Sequence, residues 1–126
     1  MSGLTASDVK PFIGSRDFDE SRDFYVALGW VLNFDVGDLA ELELGNCRFY
    51  LQKYYQKEWC DNSMLHITVE NAEGWYQHVK EVLEVRSFGA ARVKSPKKES
   101  YGALVTYVWD PAGVLLHFAQ QLPDEE

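Results

Sequence analysis

The sequence predicts an α+β fold: two βαβββ modules whose strands form an open, barrel-like sheet of eight. Three observations carry the prediction. Residues 9–52 read as strand, helix and three strands. Residues 64–119 repeat that order. The landmarks of the two halves also correspond: Phe24-Tyr25 matches Trp75-Tyr76 at 75 − 24 = 51 residues, and the turn glycine Gly45 matches Gly113 at 113 − 45 = 68. The excess of 68 − 51 = 17 residues is a longer loop in the second half. Few residues are identical between the halves, so pattern repeats and sequence does not.

Residues 9–14 read as the first strand. Asp17 then opens a helix as its N-cap, with Glu20 three residues on, and Phe18, Phe24, Tyr25 and Leu28 share a face up to the stop at Gly29. A strand over 30–34 and a turn at Gly37-Asp38 follow. Residues 40–44 alternate, with Leu42 and Leu44 inward and Glu41 and Glu43 outward. Gly45-Asn46 turns the chain into a return strand over 47–52. Residues 53–63 are polar with aromatics and read as a connector. A strand over 64–69 precedes a helix capped by Asn71, whose apolar positions Ala72, Trp75, Tyr76, Val79, Val82 and Leu83 step by three and four. The stretch 86–102 reads as a long loop holding a short strand over 91–94. Residues 103–109 are a strand, Asp110-Pro111-Ala112-Gly113 a turn, and 114–119 the last strand. The domain plan is a single domain over 1–126, with modules at 8–52 and 64–120, the connector at 53–63 and an acidic tail at 121–126 expected to fray.

Composition narrows the function. The 126 residues carry 12 Lys+Arg against 20 Asp+Glu, a net charge of 12 − 20 = −8. Such a surface repels a nucleic-acid backbone and attracts a small cation. A 46% hydrophobic content marks an ordinary globular chain long enough for its own core, and no apolar run is long enough to span a membrane. The start lacks a basic, apolar leader, so a cytoplasmic protein is expected, with Cys47 and Cys60 as reduced thiols. Cys47, on a strand, is expected to be buried, and Cys60, in the connector, exposed. No nucleophile elbow, phosphate loop or dinucleotide fingerprint occurs.

Two stretches resemble a known superfamily. Ser15-Arg16-Asp17-Phe18-Asp19, then Phe24-Tyr25 and Leu28-Gly29-Trp30, resemble the opening of the vicinal-oxygen-chelate proteins. These include glyoxalase I, extradiol dioxygenases, and the fosfomycin and bleomycin resistance proteins. Trp109-Asp110-Pro111-Ala112-Gly113 through Phe118 resembles their closing hairpin. The Ser-Arg-Asp-Phe form and Tyr101-Gly102 are most similar to the bleomycin resistance proteins. The resemblance implies the glyoxalase/bleomycin-resistance fold and a homodimer with clefts built from both subunits. An unpaired sheet edge independently favours a partner copy.

Counting from the motifs places Lys10, Phe49, Met64 and His117 at the inward positions where metalloenzymes of that superfamily hold their ion. Only one of the four is a metal ligand, and the ammonium of Lys10 repels a cation. His66, two residues beyond Met64, shares its strand face, so His66 and His117 are the metal candidates of a weaker reading. No cofactor is expected. His78 is expected to be solvated. The resemblance puts Phe34, Trp59 and Tyr101 along a ligand cleft, with Asp35, Asp38 and Asp61 as nearby counter-charges. Aromatic rings suit a planar ligand by stacking and a cation by the ring quadrupole. Lys53, Lys57, Lys94, Lys97, Lys98 and Lys10 offset the acidic field and leave room for an anion. The expectation is a non-enzymatic protein that sequesters a small aromatic compound, a cation among the candidates, at a dimer interface. The alternative is a divalent-metal-dependent enzyme of the glyoxalase or dioxygenase type. A third role, as a scaffold without a ligand, has no motif behind it.

Overall fold

A computed structural model describes residues 3–124. The elements run β1 (Phe12–Gly14), α1 (Phe18–Leu28), β2 (Val31–Asp35), β3 (Leu39–Leu44), β4 (Cys47–Gln52), α2 (Lys57–Asn62), β5 (Met64–Thr68), α3 (Ala72–Val85), β6 (Arg92–Lys98), β7 (Ala103–Trp109) and β8 (Leu115–Gln121). The eight strands do not form one continuous ladder. They pair as two four-stranded sheets, β1-β4-β3-β2 and β5-β8-β7-β6. In each, the first strand of the module runs parallel to the last and the other pairs are antiparallel. The repeated topology is the structural form of the repeat in pattern.

Local chemistry explains the helix limits. The Asp17 carboxylate accepts from the Glu20 N–H at 3.1 Å. At the other end, Gly29 adopts φ +114°, while the Trp30 N–H donates to the Tyr25 carbonyl and the Gly29 N–H to that of Val26, both at 3.0 Å. Asn71 caps α3 by accepting from the Gly74 N–H at 2.8 Å. The Ala72 N–H donates to Gln120 Oε1 and the Thr106 hydroxyl donates to the Ala72 carbonyl, which seats α3 on β7 and β8.

Three boundaries differ from expectation. The first strand begins at Phe12, because Pro11 has no N–H to give the ladder. The connector holds a helix, α2, which escapes sequence patterning: it has six residues, and its N-cap Gln56 makes no side-chain cap bond. β6 runs on to Lys98 by way of a bulge between Lys94 and Lys97, which lets Pro96 sit in an edge strand. In addition β8 extends to Gln121, so the tail starts later, and its last residues, Glu125 and Glu126, lie outside the described ones.

The core lies between the helices and one face of each sheet. Phe24, Tyr25, Phe49 and Phe118 are fully buried, with Trp75 stacked on Phe118 at 4.4 Å. The two cysteines reverse their expected places: Cys60 is buried in the core and Cys47, beside the hairpin turn, is exposed. A buried bond from the Tyr25 hydroxyl to Asp110 Oδ2, 2.7 Å long, joins the first helix to the last turn. Asp110 Oδ1 also accepts from the N–H groups of Ala112 and Val114. Among the described residues no helix covers the other face of each sheet, and a site can form there.

Candidate functional site

Strand parity decides which side chains reach these open faces. On the second sheet the register forms rows across all four strands. His66, His117, Tyr107 and Lys94 make one row; Met64, Leu115, Trp109 and Arg92 make the next. The Tyr107 ring meets His117 edge-on at 5.0 Å, and the two imidazoles lie 6.2 Å apart. The Arg92 guanidinium stands 3.8 Å from the Trp109 ring centre and the Lys94 ammonium 5.4 Å from it. A cavity of about 750 Å³ opens here, lined by Lys94, Pro96, Lys97, Tyr107, Trp109 and Leu115 among others. That volume suits a small organic ligand. A hollow of about 1050 Å³ adjoins it, sharing Lys97 and Glu99 and lined also by Tyr101.

The polar groups here are tuned by one another. The Tyr107 hydroxyl donates to Glu99 Oε1 at 3.1 Å. Burial, and then the Glu99 carboxylate, push the Tyr107 phenol up to about 12, so it stays a donor. Burial, reinforced by His66 alongside, lowers the His117 imidazole below its ordinary value, so it is neutral at neutral pH.

The open face of the first sheet is different. Phe12, Tyr50, Glu41 and Phe34 form a row across it. The Asn33 amide, at a bulge, donates to both Glu41 and Glu43, and Arg48 pairs with Glu43 at 3.1 Å. Lys10 precedes β1, pairs with Asp8 at 3.0 Å and stands 5.9 Å from the Tyr50 ring.

The structure therefore divides the expected site residues. Met64, His66 and His117 come together on the second sheet, while Tyr101 lines the adjoining hollow. Phe34 and Lys10 belong to the first sheet, on a separate face. Phe49 is corrected outright: it is 1% exposed and packs its ring against Tyr25 and Trp30 at 4.9 and 5.0 Å. The offset of 68 fails beyond the hairpins. Two residues separate Leu44 from Cys47, but five separate Trp109 from Leu115, so the count slips by an odd number and reverses the face. Asp35 is engaged by the first helix, accepting from Arg22 and from the Gly37 N–H, both at 2.8 Å. Those two bonds, the Gly37 N–H first, hold its carboxyl below the usual range. Trp59 packs from α2 against the core and over Gly14, and Asp61 pairs with Lys57 at 2.7 Å. His78 is exposed, as expected, with Nε2 at 2.9 Å from the Leu28 carbonyl.

The sequence reading missed Tyr107, Arg92 and the placement of Trp109. Their signal was parity: Tyr107 and Trp109 alternate with the buried residues Thr106 and Val108. Among the described residues no three His, Cys, Asp or Glu side chains converge on a point that could hold a metal ion. Two imidazoles with Met64, Tyr107 and Lys94 as neighbours do not fit a divalent ion within one chain.

No family model and no curated protein sequence matches the chain. Solved structures do. A bleomycin-binding protein complexed with bleomycin superposes with a TM-score of 0.77 at 23% identity, covering 92% of this chain and 99% of its own. TnmS3, an antibiotic binding protein from a Streptomyces species, gives 0.75 at 16%, covering 94% and 99%. A lactoylglutathione lyase from Agrobacterium tumefaciens gives 0.64 at 14%, covering 92% and 95%. Binding proteins and an enzyme thus share this architecture, and the chain has the fold seen in bleomycin-binding proteins and in a lactoylglutathione lyase.

Proposed function

We propose that the protein binds a small planar aromatic compound without chemically altering it, acting as a cytoplasmic homodimer. The single observation that carries this reading is the open second-sheet face, where Tyr107 and Trp109 line a cavity of ligand size and His66 and His117 continue the row of Tyr107. A flat ligand gains on the order of 1 kcal/mol from each ring it stacks on. Two structures of the same fold are described as bleomycin-binding and antibiotic-binding proteins, which supports sequestration as the role. In this reading the first-sheet face of a second copy, with Phe12, Phe34 and Tyr50, closes the cleft. Holding a toxic compound protects a cell by affinity and abundance alone, and needs no cofactor.

The test is a titration with anthracenemethanol, an uncharged planar probe, followed by its fluorescence anisotropy. Saturable binding is expected, and Tyr107→Ala should weaken it about five-fold, the loss of one ring contact. Equal affinity in that variant would remove the site from this face. The adjacent His66–His117 pair favours one other reading, a metal-dependent enzyme of the glyoxalase or dioxygenase type. One zinc or nickel ion retained per chain in a native mass spectrum, and lost in His117→Ala, would put that reading first.

A further inference from the structure

Resting on the reading of this face as an aromatic-binding surface, we propose that its ligand is an aromatic anion, with its acidic group seated at Lys94 and its ring against Tyr107. The argument is one of charge placement. The chain as a whole carries eight more acidic than basic side chains. The second-sheet face reverses that balance. It presents Arg92, Lys94 and Lys97, and the cavity wall contains one carboxylate, Glu99. Glu99 is already engaged, accepting from Tyr107 at 3.1 Å and facing the Lys97 ammonium at 3.8 Å. Among the described residues no carboxylate lies within 4.0 Å of Arg92 or Lys94, whose charges meet only the Trp109 ring.

A cationic ligand is disfavoured twice. The Arg92 guanidinium already occupies the Trp109 ring that an incoming cation would use, and Lys94 stands next to the same ring. An aromatic acid meets the opposite situation. Its carboxylate, sulfonate or phosphate oxygens find an unpaired ammonium in the row where Tyr107 and His117 also lie. A neutral imidazole can still donate an N–H to such an oxygen. Acidic groups of the molecule are engaged: Asp19, Asp23 and Asp35 surround Arg22, and on the first-sheet face that would close the cleft Glu41 and Glu43 accept from Asn33, with Arg48 pairing with Glu43.

Three anthracenes of one ring system and different charge test this: the carboxylate, the methanol and the aminomethyl derivative, each titrated by fluorescence anisotropy at low ionic strength. The carboxylate is expected to bind about tenfold more tightly than the ammonium, and salt should erode the difference. Lys94→Gln should weaken the carboxylate about tenfold more than it weakens the alcohol. Lys80→Gln, on the exposed side of α3, should change neither. An ammonium that binds as well as the carboxylate, or a carboxylate indifferent to Lys94→Gln, overturns the inference. If the alcohol binds and charge makes no difference, the aromatic site stands and only its preference for anions falls. If none of the three binds, the aromatic site falls with it.

Discussion

Asp110 shows how far one residue's role depends on its surroundings. In the sequence it opens a turn; in the structure it is a buried carboxylate holding the two modules together through Tyr25. Burial raises its carboxyl to about 6 despite the bonds it accepts from Tyr25 and the backbone N–H groups. The folded state therefore holds this proton more tightly than the unfolded chain does. Its contribution to stability is complete below about pH 4 and is lost as pH rises through about 6, a change of about 3 kcal/mol. Asp110→Asn keeps an acceptor for the two N–H groups and removes the titration. Relative to that variant, the natural protein should become less stable by about that amount between pH 4 and pH 7. Urea unfolding at both values measures it, and parallel curves would show that Asp110 stays ionised. Gly14 is a second such residue. A Cβ there would stand 2.6 Å from the Trp59 ring and 2.7 Å from the Tyr54 carbonyl oxygen, so close approach and not backbone freedom requires the glycine.

At the level of elements, α1, α3, β5 and β7 were legible because capping and periodicity both act within a few residues. The helix α2 was not, since its stability comes from tertiary contact: Cys60 is buried and Trp59 lies against the core. This gives an expected ligand residue a structural contact. Trp59→Ala should lower the unfolding free energy by about 2 kcal/mol in urea, less than for a fully buried ring, because Trp59 is only half-buried. Its affinity for anthracenemethanol should match that of the unaltered protein, and a loss of affinity would return Trp59 to the cleft. The bulge in β6 was equally illegible. Pro96 reads as a strand breaker in sequence, but the edge position of β6 makes it harmless.

At the scale of the whole molecule, the helices fill the space between two sheets and leave each sheet an open face. Phe34 and Phe12 are 38% and 49% exposed on the first of these, close to Tyr50. Apolar rings in a cluster of this kind mark a surface that a second chain covers. Sedimentation velocity should therefore find a dimer, and Phe34→Glu, which also faces Glu41, should shift it to monomer at micromolar concentration. A monomer in the unaltered protein would leave the second-sheet cavity to bind its ligand unaided.

The sequence by itself determined the order of the strands and of the two long helices, the repeat and the fold class. Those follow from caps, turns and hydrophobic periods, which operate between near neighbours. It also put His66 on the strand face of Met64, since parity carries that information, whereas the pairing of His66 with His117 came from the register of β5 against β8. Only the tertiary structure decided that Phe49 is core, that Asp35 serves Arg22, and that Arg92, Lys94, Tyr107 and Trp109 share one face. Each of these depends on hairpin lengths and on pairing between distant strands, where one residue of slip exchanges the inside of a sheet for its outside.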